Sequence, residues 1–324
     1  MNRLSFVTVL TVACGGGLEL EYSDAPVDAP SSARFAASAQ YDEGERNVFD
    51  VAHFPDADAP TPVVVYIHGG GFTGGDKAEL WEGRKDYAEA LLDQEIALVT
   101  CNYRLLGAEG SEGVRTSMTD SARCLQTARF HAEQLNIDPD RVVMGGISAG
   151  AGTSLWLATH DDLADPGNED PVLAESTRIS GAVVWETQAT YDLVRWNDVF
   201  LTFYGLELFA TAEAFGLSES LYLFYDIDSA DDLETPDIIA YRKDVDMLEL
   251  MDANDAPIWV RNDVEKSTLP ISVGSLFHHP RHAKAVHEAA LEVGLEAQVY
   301  VPEMEIAPEV EQSGVEFTLE KLGL

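Results

Sequence analysis

The chain of 324 residues carries 57 acidic and 20 basic residues, which gives a formal net charge of −37 at pH 7. This charge argues against nucleic acid and anionic lipid surfaces as partners, because both are polyanions, and it suits a protein whose self-repulsion is screened by salt. The hydrophobic fraction of 46% is sufficient for a full-sized core, and the length suits one large domain or two small ones.

The N-terminus is typical of an export signal. Arg3 precedes a mostly apolar run, 4–13, that is too short to span a bilayer. The following Ala13-Cys14-Gly15 resembles a bacterial lipoprotein cleavage site, with Cys14 as the lipidated residue, although Thr11 stands where Leu is usual. We expect residues 1–13 to direct export to the periplasm or cell surface and Cys14 to carry the only link to a membrane. Plain secretion and an uncleaved N-terminus are the alternatives.

A linker-like stretch follows the signal. Residues 14–46 are rich in Gly, Ala, Ser, Pro and Asp, a composition typical of segments with little structure. We therefore predict a flexible tether over this range and a folded domain over 47–324.

Strand and helix patterns alternate through the folded part. Short apolar runs predict strands, at 47–54, 62–67, 96–102, from Val142, and at 180–185, 257–261 and 297–301. Amphipathic or small-residue stretches predict helices, at 86–94, 116–135, 151–160, 280–294 and 315–322. Repeated units of this kind form a mostly parallel sheet with helices on both faces, and ligands bind outside the carboxyl ends of its strands.

A segment rich in aromatic residues, at about 190–255, interrupts this alternation. Nine aromatic side chains lie between Trp196 and Tyr225. They predict an inserted helical subdomain that uses the aromatics as its own core. The same insertion suits a lid whose aromatics also line a substrate pocket.

The chemistry is centred on Gly146-Ile147-Ser148-Ala149-Gly150, which lies between a predicted buried strand and a predicted helix. This order is typical of a nucleophile elbow, in which a tight turn holds Ser148 in a strained backbone conformation and exposes its hydroxyl. Glycines flank the serine because larger residues would clash there. The amide of Ala149 lies at the positive end of the new helix, where it would face a developing oxyanion.

A second glycine-rich motif, His68-Gly69-Gly70-Gly71-Phe72, directly follows the strand at 62–67. Glycines without a Cβ let backbone amides approach a substrate oxygen, so Gly70, Gly71 and Ala149 together predict an oxyanion hole. Phosphate binding is the alternative. The loop lacks a Gly-Lys-Ser/Thr ending and a Gly-x-Gly-x-x-Gly pattern, which argues against it.

Four motifs in order and at compatible spacing resemble the α/β-hydrolase esterases, most closely the carboxylesterase and hormone-sensitive-lipase type. They are His68-Gly69-Gly70-Gly71, Asn102-Tyr103-Arg104-Leu105, Asp138-Pro139-Asp140-Arg141-Val142 and Gly146-Ile147-Ser148-Ala149-Gly150. The resemblance covers about 47–301. It implies an eight-stranded sheet, a small-molecule ester substrate, Ser148 as nucleophile, and Gly70, Gly71 and Ala149 as oxyanion donors. It also implies that His68 holds its loop and that no metal or cofactor is needed.

The catalytic base departs from the family pattern. The family places its histidine after the last strand, yet no histidine follows His287. His278 and His279 precede a helix that Pro280 starts well, on the side of the sheet where the elbow lies. We therefore predict His278, with His279 second, as the base. Ordinary loop and cap residues are the alternative.

The acid of the triad is expected after the strand at 257–261. Asp263 is the first candidate there and Glu265 the second, although the usual His-Gly lead-in is missing. The sequence thus predicts a serine hydrolase that cleaves carboxylic esters through an acyl-enzyme on Ser148, with small acyl esters on surface carbohydrates as candidate substrates. The alternative is a catalytically impaired surface lipoprotein that acts as a binding protein.

Two further cysteines lie in the folded part. Cys101 falls in an apolar run and Cys124 in a helical pattern, so both are interpreted as small buried hydrophobic residues rather than a disulfide or a metal pair. The histidines His279, His282 and His287 lack a carboxylate or cysteine pattern that would complete a zinc site.

Overall fold

One mixed sheet organises residues 17–264 and 268–324, the part of the chain that the computed structural model describes. Its nine strands are β1 (Tyr22–Ser23), β2 (Arg34–Gln40), β3 (Val48–His53), β4 (Thr61–Ile67), β5 (Ala97–Cys101), β6 (Ile137–Ile147), β7 (Gly181–Trp185), β8 (Ile258–Arg261) and β9 (Ala297–Tyr300). They are hydrogen-bonded in the order β1-β2-β3-β5-β4-β6-β7-β8-β9. The strands from β5 through β4 to β9 run parallel, whereas β1, β2, β3 and β5 pair antiparallel. The predicted mostly parallel α/β sheet is confirmed. It has nine strands in the described residues rather than the eight that the resemblance implies, because the short β1 adds to one edge.

Helices cover both faces of this sheet. Those found in the described residues are α1 (Glu79–Gly83), α2 (Lys85–Leu92), α3 (Val114–Phe130), α4 (Ala132–Leu135), α5 (Ala149–Thr159), α6 (Leu208–Ala214), α7 (Ser218–Tyr225), α8 (Pro236–Asp244), α9 (Met247–Leu250), α10 (Val273–Phe277), α11 (Pro280–Val293) and α12 (Gly314–Lys321). Asn136 adopts the left-handed conformation, with φ 52° and ψ 44°, and ends α4 at the predicted position.

The core lies on both sides of β4, whose seven residues are all buried. Val63, Val65 and Ile67 belong to one hydrophobic cluster, whereas Val64 and Tyr66 belong to the other. Because successive side chains of a strand point to opposite faces, a continuous apolar run is what a strand covered on both faces requires. The prediction from the run at 62–67 is confirmed.

The predicted tether at 14–46 is wrong over β2. This strand pairs antiparallel with β3, and its Phe35, Ala36 and Ala39 are buried. Ser38 has a φ of 55°, and the register shifts between Ala36 and Ala39. The bulge breaks the alternation of buried and exposed residues, and the small side chains resemble a linker, so the sequence pattern does not reveal the strand.

The insertion between β7 and β8 packs against the rest of the domain rather than around a core of its own. It contains α6, α7, α8 and α9. Its buried Trp196, Phe200, Phe224 and Tyr225 share one hydrophobic cluster with residues of β4 and α5. The interpretation of a self-contained aromatic core is therefore corrected, whereas the function of the insertion as a lid stays a prediction.

Cys101 and Cys124 form a disulfide, so their interpretation as separate hydrophobic residues is wrong. Both residues are fully buried, as predicted. The bond joins the last residue of β5 to the middle of α3, with the Cα atoms 6.5 Å apart. The two cysteines meet only because α3 packs across the end of β5, a tertiary contact that neither local pattern reveals.

No helix in the described part of the chain is long and apolar enough to span a membrane. The predicted export signal and Cys14 lie outside the described residues. Export and lipid attachment therefore stay predictions.

Removing the disulfide should destabilise the domain. The bridge closes a loop with a sequence separation of 23 residues, and a loop of this size contributes about 3 kcal/mol to the free energy of unfolding. We expect the double variant Cys101→Ala/Cys124→Ala to lose about that much in urea titrations made without reductant. The difference from the wild type should largely disappear in dithiothreitol. Equal stability of the two proteins without reductant would contradict this prediction.

Candidate active site

The tight strand-to-helix turn predicted at Ser148 is present between β6 and α5. Ser148 has φ 53° and ψ −120°, a region that non-glycine residues rarely occupy, and its amide donates to Trp185 O at 3.0 Å. A Cβ on Gly150 would overlap the carbonyl of Ile67, and a Cβ on Gly146 would overlap Gly150. These two glycines therefore allow α5 to start directly against β4. The backbone strain inferred from the sequence is confirmed.

The glycine-rich loop after β4 passes beside the serine. A Cβ built on Gly69 would lie 3.4 Å from the Cβ of Ser148. Gly70 and Gly71 have φ values of 106° and 59°, which glycine adopts without steric cost. The amide of Gly69 donates to Glu79 Oε2 at 2.6 Å, so it is already engaged. This placement brings the loop of the predicted oxyanion donors next to Ser148.

A buried histidine and a partly exposed arginine hold this loop. His68 is fully buried and stacks on Tyr103, and its Nδ1 donates to Gly69 O at 2.6 Å. Burial lowers the pKa of His68 to about 4, so the ring is neutral and suits the predicted holding role. The sequence analysis missed Arg46, which donates to Tyr103 O and Gly75 O, both at 2.9 Å. An arginine at the end of a supposed tether carried no signal for this function.

Phe72 fastens the far end of the loop. Its φ is 61°, which is unusual for a residue with a side chain, and its ring is buried. The ring packs edge-on against Tyr191 and against Phe224 of α7, and at a tilt against Tyr103. The loop beside Ser148 is thus packed on both the sheet and the insertion.

The structure brings His278 to the serine. His278 Nε2 lies 2.7 Å from Ser148 Oγ, which is a hydrogen-bond distance. His279 instead points into the insertion, where it stacks on Phe200 and its Nε2 donates to Thr268 O at 3.1 Å. Of the two candidate bases, only His278 is in contact with Ser148.

A carboxylate that the sequence analysis missed lies behind the imidazole. Glu186 Oε2 is 3.6 Å from His278 Nδ1, an ion-pair distance. Glu186 directly follows β7 with φ 52°, and its amide donates to Arg261 O at 2.8 Å. Its position at the carboxyl end of the strand beside the elbow strand was the available signal.

Asp263 is not brought to the base. Its carboxylate is half exposed and accepts hydrogen bonds from Arg261 Nε at 3.0 and 2.7 Å. The position of Asp263 therefore does not support its predicted role, and the second candidate, Glu265, lies outside the described residues. Among the described residues, the carboxylate beside His278 comes from the end of β7 rather than from the end of β8, because the imidazole approaches from between α10 and α11.

The electrostatics of the pair suit a neutral imidazole. Burial lowers the pKa of His278, and the nearby carboxylate of Glu186 opposes that shift. His282, one turn into α11, is buried against Trp196 and Phe200, and burial lowers its pKa to about 3. Within the described ranges, no group of three or more His, Cys, Asp or Glu side chains is placed to hold a metal ion.

Comparison with known proteins identifies the class of fold. A family model described as BD-FAE matches residues 49–200. Among solved structures, a truncated form of a carbohydrate esterase from gut microbiota superimposes with a TM-score of 0.61 at 14% identity, over 95% of this chain and 100% of that chain. The chain thus has the fold of an esterase-type α/β-hydrolase, and the resemblance inferred from its motifs is confirmed.

Particular relatives match only a part of the chain. Acetylcholinesterase from Gallus gallus is 39% identical over 98 residues, which are 28% of this chain and 12% of that protein. Chlorogenic acid esterase from Aspergillus niger is 27% identical over 126 residues, which are 38% of this chain and 23% of that protein. The chain therefore spans less than a quarter of the length of these two relatives. The BD-FAE match ends before β8 and His278, where the chain departs from the expected motif order.

Proposed function

We propose that the chain hydrolyses carboxylic esters, with Ser148 as nucleophile and His278 as general base. The observation that carries this proposal is the 2.7 Å distance between His278 Nε2 and Ser148 Oγ. A base at hydrogen-bond distance can take the hydroxyl proton as the oxygen attacks, and without one serine is a poor nucleophile at neutral pH. The similarity to esterases in sequence and fold supports the same chemistry.

The proposed reaction has two steps. Ser148 Oγ bonds to the ester carbonyl carbon while its proton moves to His278 Nε2, and the carbonyl oxygen becomes an oxyanion facing the amides of Gly70, Gly71 and Ala149. The tetrahedral intermediate collapses, His278 gives the proton to the departing alcohol, and an acyl-enzyme remains. Water then attacks the acyl-enzyme by the same route and releases the acid.

Glu186 takes the place of the expected acid in this proposal. Its carboxylate lies close to Nδ1, where it would orient the imidazole and stabilise the imidazolium that forms during attack. The half-buried setting of both side chains, 27% and 31% exposed, leaves the charge pair only partly screened by water.

We also propose that the protein is exported and held at a membrane by a lipid on Cys14. The support is the N-terminal pattern together with the buried disulfide, because such bonds persist mainly in oxidising compartments. Small acyl esters on carbohydrates are the first substrates to test, because a carbohydrate esterase is among the structural neighbours.

A fluorophosphonate probe should label the wild-type protein and fail to label Ser148→Ala. The probe traps only a serine whose hydroxyl is activated by a base. Ser180→Ala is the matched control, since the hydroxyl of Ser180 donates to Asp140 O, away from the site. Labelling should be read by intact mass. A folded wild-type protein that resists the probe would favour the non-catalytic binding protein instead.

Substitution should distinguish among the three candidate acids. Glu186→Gln should lower kcat on p-nitrophenyl acetate by about 100-fold or more, because the imidazolium loses its counter-charge. Asp263→Asn should leave kcat within about twofold, since surface ion pairs contribute little. Glu265→Gln, the third variant, should lower kcat less than Glu186→Gln does. A larger loss in Asp263→Asn or Glu265→Gln than in Glu186→Gln would refute the assignment.

The pH profile should report the neutral base. Because the pKa of His278 is lowered from 6.5, kcat/KM should rise with pH through a midpoint below 6.5 and level off above that midpoint. The Glu186 carboxylate raises that pKa, so Glu186→Gln should move the midpoint to lower pH even as activity falls. A midpoint above 6.5 in the wild type, or an upward shift in the variant, would contradict this account.

A further inference from the structure

The proposed base occupies a short connection between two helices. His278 and His279 alone separate α10 from α11. Helix α10 has five residues, and residues 271–274 at its start are exposed. A helix this short is not stable by itself. The 2.7 Å contact with Ser148 therefore needs support from outside the connection.

Two side-chain amides supply hydrogen bonds to consecutive carbonyls at this point. Gln188 Nε2 donates to Phe277 O at 2.9 Å, and Asn262 Nδ2 donates to His278 O at 3.0 Å. Both amide residues are buried, Gln188 at 5% exposure and Asn262 at 0%. Losing a buried hydrogen bond from an amide to a carbonyl is costly, because the carbonyl is left with neither a protein donor nor water to replace it.

Asn262 is itself held on three sides. Its backbone N–H donates to Tyr300 O at 2.9 Å, and its side-chain Oδ1 accepts from Val264 N at 3.0 Å. The acceptor role of Oδ1 fixes the orientation of the side chain, so that Nδ2 is the atom facing His278 O. The bond to the base is therefore made by a group with little freedom to turn.

The amides and the acid come from the same frame. Asn262 directly follows β8, and Gln188 follows β7 by three residues, two positions beyond Glu186. Strands β7 and β8 are neighbours in the parallel sheet, and β7 also pairs with β6, which carries Ser148 at its end. The proposed nucleophile, its acid and the two amides that support the base thus all follow the ends of three adjacent strands, β6, β7 and β8.

We propose that Asn262 and Gln188 are positioning residues that hold the His278 backbone in register with Ser148. This inference rests on the proposed function, in which His278 is the base. Neither amide touches the reacting atoms. Their effect is on the base, because a displacement of about 1 Å in a catalytic group costs on the order of 100-fold in rate. Asn262 stands at the strand end where the acid was expected, and it serves the base by a neutral hydrogen bond.

The kinetic test compares Asn262→Ala and Gln188→Ala with a matched control. Each should lower kcat on p-nitrophenyl acetate by about 10- to 100-fold with KM changed less than about threefold, because substrate contacts are intact and the base is displaced. Gln126→Ala is the control. Gln126 lies on α3, away from the site, and its buried side-chain amide donates to Glu175 O at 2.8 Å. Its kcat should match the wild type. An equal loss of kcat in Gln126→Ala, or a loss confined to KM, would overturn the proposal.

A second measurement does not depend on turnover. Amide hydrogen exchange over residues 273–279 of the full chain should become at least about tenfold faster in Asn262→Ala and Gln188→Ala and unchanged in Gln126→Ala. Unchanged exchange in both test variants would refute the proposal. If the wild type lacks turnover while the exchange result holds, the proposed function fails and the holding of the connection stands. Circular dichroism confirms that each variant is folded.

Discussion

The site depends on one steric constraint, the close approach of the first turn of α5 to the end of β4. Gly150 sits against the carbonyl of Ile67 with no room for a side chain, so the helix starts at the level of the strand end. Ser148 must then take a left-handed backbone conformation to make the turn. The glycine-rich loop that continues β4 passes so close to the same serine that a Cβ on Gly69 would touch it. A hydroxyl and a row of backbone amides are thereby brought together before any polar side chain takes part.

The polar side chains complete the site from the other half of the sheet. In the resembled esterases a histidine after the last strand is expected, whereas here β9 is followed by a short turn at Pro302–Met304 that carries no imidazole. In the proposed mechanism the base enters instead from the connection between α10 and α11, and its carboxylate partner comes from the end of β7. Such groups can be assembled from different strand ends, because parallel strands deliver all of their carboxyl ends to one edge.

Sequence reasoning succeeded where local backbone geometry determines the position of a residue. The turn at Ser148 and the buried run of β4 follow from local steric and periodic rules, and helix-start chemistry predicted the loop position of His278, which contacts Ser148. It failed where two segments meet only after packing. Glu186 carries no motif, and the pairing of Cys101 with Cys124 depends on how α3 crosses β5. The strand β2 was missed because a bulge hides its alternation.

The packing of Phe72 has a consequence for how the insertion can vary. Its ring lies at the meeting point of Tyr103, Tyr191 and Phe224, so a helix outside the sheet forms part of the wall behind the glycine-rich loop. A smaller residue at 224 would leave a void beneath that loop, and voids of this kind are costly. The insertion is therefore constrained in how it can diverge: positions 72 and 224 should covary among homologues, and transplanting the segment alone would disturb the packing of the loop beside Ser148.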